Sequence, residues 1–152
     1  MTMYWYTKSD DSGVRVSVTN TAASKWVAAG IVHEAGSMVP SSGSYHSIYL
    51  YAPNSGKAGL YTLESYSSTG VVADIRSRTN SDIVWLQSSV EKTSMTFDRA
   101  STTGLTDDPV LSLSGTNYLI WAHGGVWSYI HSSTGFVLVD WSNGKCTNVA
   151  TG

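Results

Sequence analysis

Nowhere in this chain do apolar residues recur at i, i+3, i+4 and i+7 over three helical turns; short β-rich runs follow one another instead, cut apart by turn-forming residues. The runs extend over Met3 to Lys8, Val14 to Thr19, Trp26 to His33, Tyr45 to Tyr51, Ala58 to Tyr66, Val71 to Arg76, Ile83 to Ser88, Lys92 to Ala100, Asn117 to His123 and Gly135 to Trp141. Turn chemistry separates them, as in Asp11-Ser12-Gly13, Pro53-Asn54-Ser55-Gly56, Ser68-Thr69-Gly70, Asp107-Asp108-Pro109 and Asn143-Gly144. Val14, Val16 and Val18 alternate with Arg15 and Ser17, and Met95 and Phe97 alternate with Thr96 and Asp98, so these segments have one apolar face. About ten short strands at this spacing predict an all-β fold, an antiparallel immunoglobulin-like β-sandwich. With 152 residues, no linker and no internal repeat, the expectation is a single domain over 1–152.

Charged residues make up 13% of the chain, about half the ~25% usual for soluble domains, and Ser, Thr, Gly and Tyr fill the difference, which suggests a secreted, extracellular β protein. A net charge of −2 provides no basic field, so nucleic acid is not an expected partner. No apolar run reaches the ~18 residues of a membrane span, and direct membrane insertion is not expected. Met1 to Tyr6 lacks the pattern of a signal peptide, so a secreted form would be a mature segment. No N-x-S/T triplet occurs to support that compartment. Cys146 is the only cysteine, which excludes an internal disulfide, a CxxC zinc or redox site and the C-x-x-C-H attachment of a c-type haem.

His33, His46, His123 and His131 are far apart in sequence, so a metal site would have to be assembled by the fold. No nucleophile elbow accompanies the abundant serines, and a hydrolase is not indicated. Met38 lies between small and turn-forming residues, Ala35 to Gly43, where a large apolar side chain needs a cover. Taken alone, a loop methionine more often fills a gap in the core than binds a metal. The tryptophans and tyrosines suit packing between strands, and also a flat sugar-binding platform.

Several motifs, in order, resemble those of DOMON domains. Tyr118-Leu119-Ile120-Trp121-Ala122-His123-Gly124, followed by Tyr129-Ile130-His131-Ser132 and Gly135 to Asp140, is similar to the closing motif of that family, an apolar strand ending in an Ala-x-Gly turn with a loop histidine after it. Trp26 to Ile31 resembles the family's tryptophan strand, Gly36-Ser37-Met38 its methionine loop, and Phe97-Asp98-Arg99 with Thr106-Asp107-Asp108 its Arg and Asp segment. In the cytochrome branch a loop methionine and the closing histidine hold haem b. The resemblance therefore implies Met38 and His131 as axial ligands of the haem iron, with Trp127 and Tyr129 as candidate lining residues. His123, inside the Ala-x-Gly turn, is the competing histidine. The chain departs from many members in lacking an internal disulfide.

With both axial positions filled, no site remains for dioxygen, and the thioether favours Fe(II). The implied function is electron transfer rather than catalysis, with a dehydrogenase or a membrane cytochrome as redox partner. Strict up-and-down alternation of ten strands would put the Met38 and His131 connectors at the same end of the sandwich. The alternative is a carbohydrate-binding β-sandwich module without haem.

Overall fold

The computed structural model describes residues 1–21, 25–34, 37–76, 82–127 and 133–149. Among them the chain forms eleven strands: β1 (Thr2–Thr7), β2 (Gly13–Asn20), β3 (Trp26–Val32), β4 (Ser47–Ala52), β5 (Lys57–Leu63), β6 (Val71–Ala73), β7 (Asp82–Ser88), β8 (Thr93–Ala100), β9 (Thr116–Gly124), β10 (Ser133–Asp140) and β11 (Lys145–Val149). They make two antiparallel sheets, one of four strands in the order β1-β2-β8-β7 and one of seven in the order β11-β10-β9-β3-β4-β5-β6. The expected all-β sandwich is present, and each of the ten expected strands has its counterpart.

Period-two alternation builds the layer between the sheets. Val14, Val16 and Val18 of β2 and Met95 and Phe97 of β8 are fully buried against Val27, Ala29, Ile31 and Leu119 of the larger sheet. Across this layer the Phe97 and Tyr49 rings stack at 3.8 Å. Arg99 is also buried, and its guanidinium donates to Ser47 Oγ and to the carbonyls of Ala100 and Pro109, which tie the segment after β8 to β4.

The seven-stranded sheet has a second apolar face, turned away from the smaller sheet. Trp26, Ala28, Val32, Ile48, Leu50, Leu63, Ile120 and Phe136 form a buried cluster there. β3 is consequently buried along its whole length, the pattern of a strand covered on both sides.

β6 stops at Ala73, short of the expected Arg76. The chain turns there because the Arg76 guanidinium bonds the carboxylates of Asp74 and Asp108, each at 2.7 Å, and lies over the Tyr45 ring. β11 has no counterpart among the expected strands; it joins β10 through a turn in which Gly144 adopts φ 68° and Asp140 accepts from Ser142 N and Asn143 Nδ2.

Candidate functional site

The second apolar face of the large sheet is only partly covered, and what remains open is a cavity of about 360 Å³. That volume falls in the range of small-molecule and cofactor sites, roughly 300–1,000 Å³. β3 and β9 provide the floor, with Ala28 paired to Ala122, and Ile48, Leu50, Leu63 and Val71 form one side. The small side chains of β3 and β9 hold the floor low. At Gly124 an added Cβ would sit 2.5 Å from Trp26 Nε1, so the indole rests on bare backbone. The rim is the β5–β6 connector, where Ser65, Tyr66, Ser67 and Ser68 line the opening and Ser65 Oγ and Ser67 Oγ are 3.0 Å apart.

Met38 is part of the cavity wall, half-buried against the same cluster that forms the floor. Trp127 also lines it, edge-on to Trp26 with ring centroids 5.2 Å apart, and the Lys57 ammonium lies 5.7 Å from the Trp127 ring. Two of the four expected site residues thus share one cavity. The other two, Tyr129 and His131, lie outside the described residues.

The two connectors arrive from opposite directions. β3 pairs antiparallel with β9, Trp26 opposite Gly124 and Val32 opposite Tyr118, so the segment carrying Met38 leaves at one end and the segment carrying Trp127 at the other. Strict alternation, which would put both exits at one end, does not hold, because the connections that change sheets break it. Both connectors nevertheless reach the same cavity over the face of the sheet.

The three described histidines point elsewhere. His123 is opposite Val27 on the face turned toward the smaller sheet, with Nδ1 3.5 Å from Asn20 Nδ2. Burial holds its imidazole below the usual range. His33 is exposed and its Nε2 is 2.9 Å from the Asp107 carbonyl. His46 is buried beneath the Met38 loop; its Nδ1 accepts from His33 N–H at 3.4 Å and its Nε2 donates to the Ser37 carbonyl at 3.2 Å. Burial pushes its pKa down to about 4, leaving a neutral ring that clasps the segment just before Met38. Among the described residues no three His, Cys, Asp or Glu side chains group to hold a metal ion.

The Trp26 indole N–H is buried and has no hydrogen-bond partner, an orphan donor beside the cavity. The expected Arg and Asp segment is built into the scaffold instead: Asp98 is bridged by Arg15 at 2.7 Å and Lys8 at 3.3 Å, and Asp108 by Arg76. Cys146 is free and exposed on β11.

No protein-family model matches the chain, and no curated protein matches it.

Neither the serine rim nor the part played by Leu50, Leu63 and Ile120 was legible in the sequence. A signal for the face itself was present. Trp26 to Val32 and Leu119 to Ala122 are continuous apolar runs rather than alternating ones, and such runs need cover on both sides.

Proposed function

We propose that this domain binds haem b in the cavity on the open face of the large sheet, with Met38 and His131 as axial ligands, and passes single electrons to or from a redox partner. The supporting observation is that Met38 and Trp127 line one apolar cavity, and Trp127 precedes His131 by only four residues. The other three histidines are committed to backbone or side-chain partners away from it.

The described residues suit such a group. An apolar floor and indole walls favour a flat hydrophobic macrocycle, and the hydroxyls of the serine rim offer donors to its carboxylates. With one exposed cysteine and no C-x-x-C-H, the attachment is non-covalent. Such a group would supply reversible one-electron chemistry. Met38 and His131 would hold the iron and the apolar lining would limit its contact with water, so the domain would turn over no substrate of its own. An extracellular setting accords with the low charge of the chain, and a dehydrogenase or membrane cytochrome as partner is what the resemblance to DOMON domains implies.

The visible absorption spectrum during titration with haemin tests the proposal. The expected result is a saturable Soret band that sharpens on reduction; a spectrum that remains the sum of free haemin and protein would overturn it.

A further inference from the structure

On the far side of the molecule, the outer face of the four-stranded sheet carries three exposed aromatic rings. Tyr4 and Tyr6 of β1 are 71% and 55% exposed, and Trp85 of β7 is 46% exposed. They occupy registered rows. Tyr4 pairs with Ser17, Ser17 with Thr96 and Thr96 with Trp85, so one row crosses all four strands from ring to ring. Three strand spacings of about 4.8 Å separate its ends by about 14 Å.

Trp85 is outside because of a β-bulge. Ile83 pairs with Phe97, on the buried face, and regular alternation would send Trp85 inward as well; the register shift between Ile83 and Trp85 inserts Val84 and turns the indole out. Burial would be the ordinary fate of a tryptophan at that position, so the bulge specifically presents a large flat ring to solvent.

Between the rings the face is polar. Ser17 Oγ and Thr96 Oγ1 are 2.7 Å apart, giving a hydroxyl pair at the centre of the row. In the adjacent row Tyr6 neighbours Arg15, whose Nε donates to Asp98 at 2.7 Å. Lys8 and Arg15 both bridge Asp98, and Asp82 lies opposite Asp98, so among the described residues two cations and two carboxylates balance on this face. A single-stranded nucleic acid would need a basic groove beside its stacking rings, and a stable protein interface a more apolar centre. Rings spaced across a charge-balanced, hydroxyl-bearing face match the apolar ring faces and equatorial hydroxyls of a sugar chain.

We propose that this face binds an extended, neutral β-linked polysaccharide, with Tyr4, Tyr6 and Trp85 stacking on its sugar rings. The site is separate from the cavity on the opposite sheet and does not depend on haem. It would hold an electron-carrying domain on a polysaccharide surface with the cavity directed away from it.

Depletion of the purified protein from solution by microcrystalline cellulose and by chitin tests this, with sedimentation velocity on the same samples. Binding to at least one of the two is expected. The Tyr4→Ala and Trp85→Ala variants should each weaken it on the order of tenfold, while Trp85→Phe retains most of it. Haemin titration of the variants should match that of the parent chain, so loss of sugar binding and failure of the haem proposal are read separately. Absence of depletion by either solid, equal binding by the alanine variants, or a dimer that these variants dissociate would overturn the proposal.

Discussion

Met38 and His46 show what single positions contribute. The thioether is half-buried in a cavity wall, and the imidazole beneath it holds the Ser37 carbonyl and the His33 amide together. Met38→His should keep haem but lower its potential, because a second imidazole still ligates while no longer favouring Fe(II); redox titration checks it. His131→Ala should lose most of the haem, and retention of the full Soret band by that variant would move the ligand elsewhere. His46 sets a pH dependence. Its ring stays neutral in the folded state down to about pH 4, whereas in the unfolded chain it takes up a proton near the ordinary value of 6.5. The unfolded state therefore binds more protons between those values, and the folded state loses on the order of 3 kcal/mol as pH falls through that window, with no further loss below it. Urea titrations of the apoprotein at several pH values should show this slope, and His46→Gln, which keeps a donor for Ser37 but does not titrate, should flatten it. Met38 stood out in the sequence as a large apolar residue among turn formers. The role of His46 was not legible, because nothing local says that a histidine eight residues later lies beneath the Met38 loop.

Among the elements, β2 and β8 were readable because one face of each is core and the other solvent, so period-two alternation marks them. β11 was not, since its five residues, Lys145–Val149, are almost all exposed and its place is set by pairing with β10 alone. β6 was overextended because β propensity does not register an arginine drawn aside by two carboxylates. β3 and β9 place the cavity floor, and their close pairing depends on small residues. Gly124→Ala should push the Trp26 indole off its seat, destabilise the domain by about 1–3 kcal/mol and reduce haem uptake. A urea midpoint and a haemin titration, compared with Gly125→Ala, where an added Cβ meets nothing within 4 Å, make the check.

At the scale of the whole molecule, one sheet serves two apolar faces: the four-stranded sheet closes the first, and connectors only partly close the second. An apoprotein with that surface open should bind haem at a gain in stability. For a ligand that binds only the folded state, free concentration 1,000 times Kd contributes about 4 kcal/mol. The melting temperature should accordingly rise with haem concentration, and calorimetry of apo and loaded protein checks this. Because connectors rather than a second sheet cover the cavity, a bound group should exchange electrons with soluble partners. Stopped-flow mixing of the reduced protein with one-electron acceptors should show reoxidation, and failure with several acceptors of suitable potential would count against the transfer role.

The sequence by itself determined the layered β architecture, because alternation and turn residues act within a few positions of one another and need no knowledge of distant contacts. It also singled out Met38 as a large apolar side chain in want of cover. Only the tertiary structure decided which face stayed open and which histidines were turned away from it, and it brought Met38 and Trp127 to the same cavity from opposite ends of the sheet. Those outcomes depend on strand order and on where the chain changes sheets. Such long-range pairings leave no trace in local periodicity, so a count of strands along the chain could not supply them.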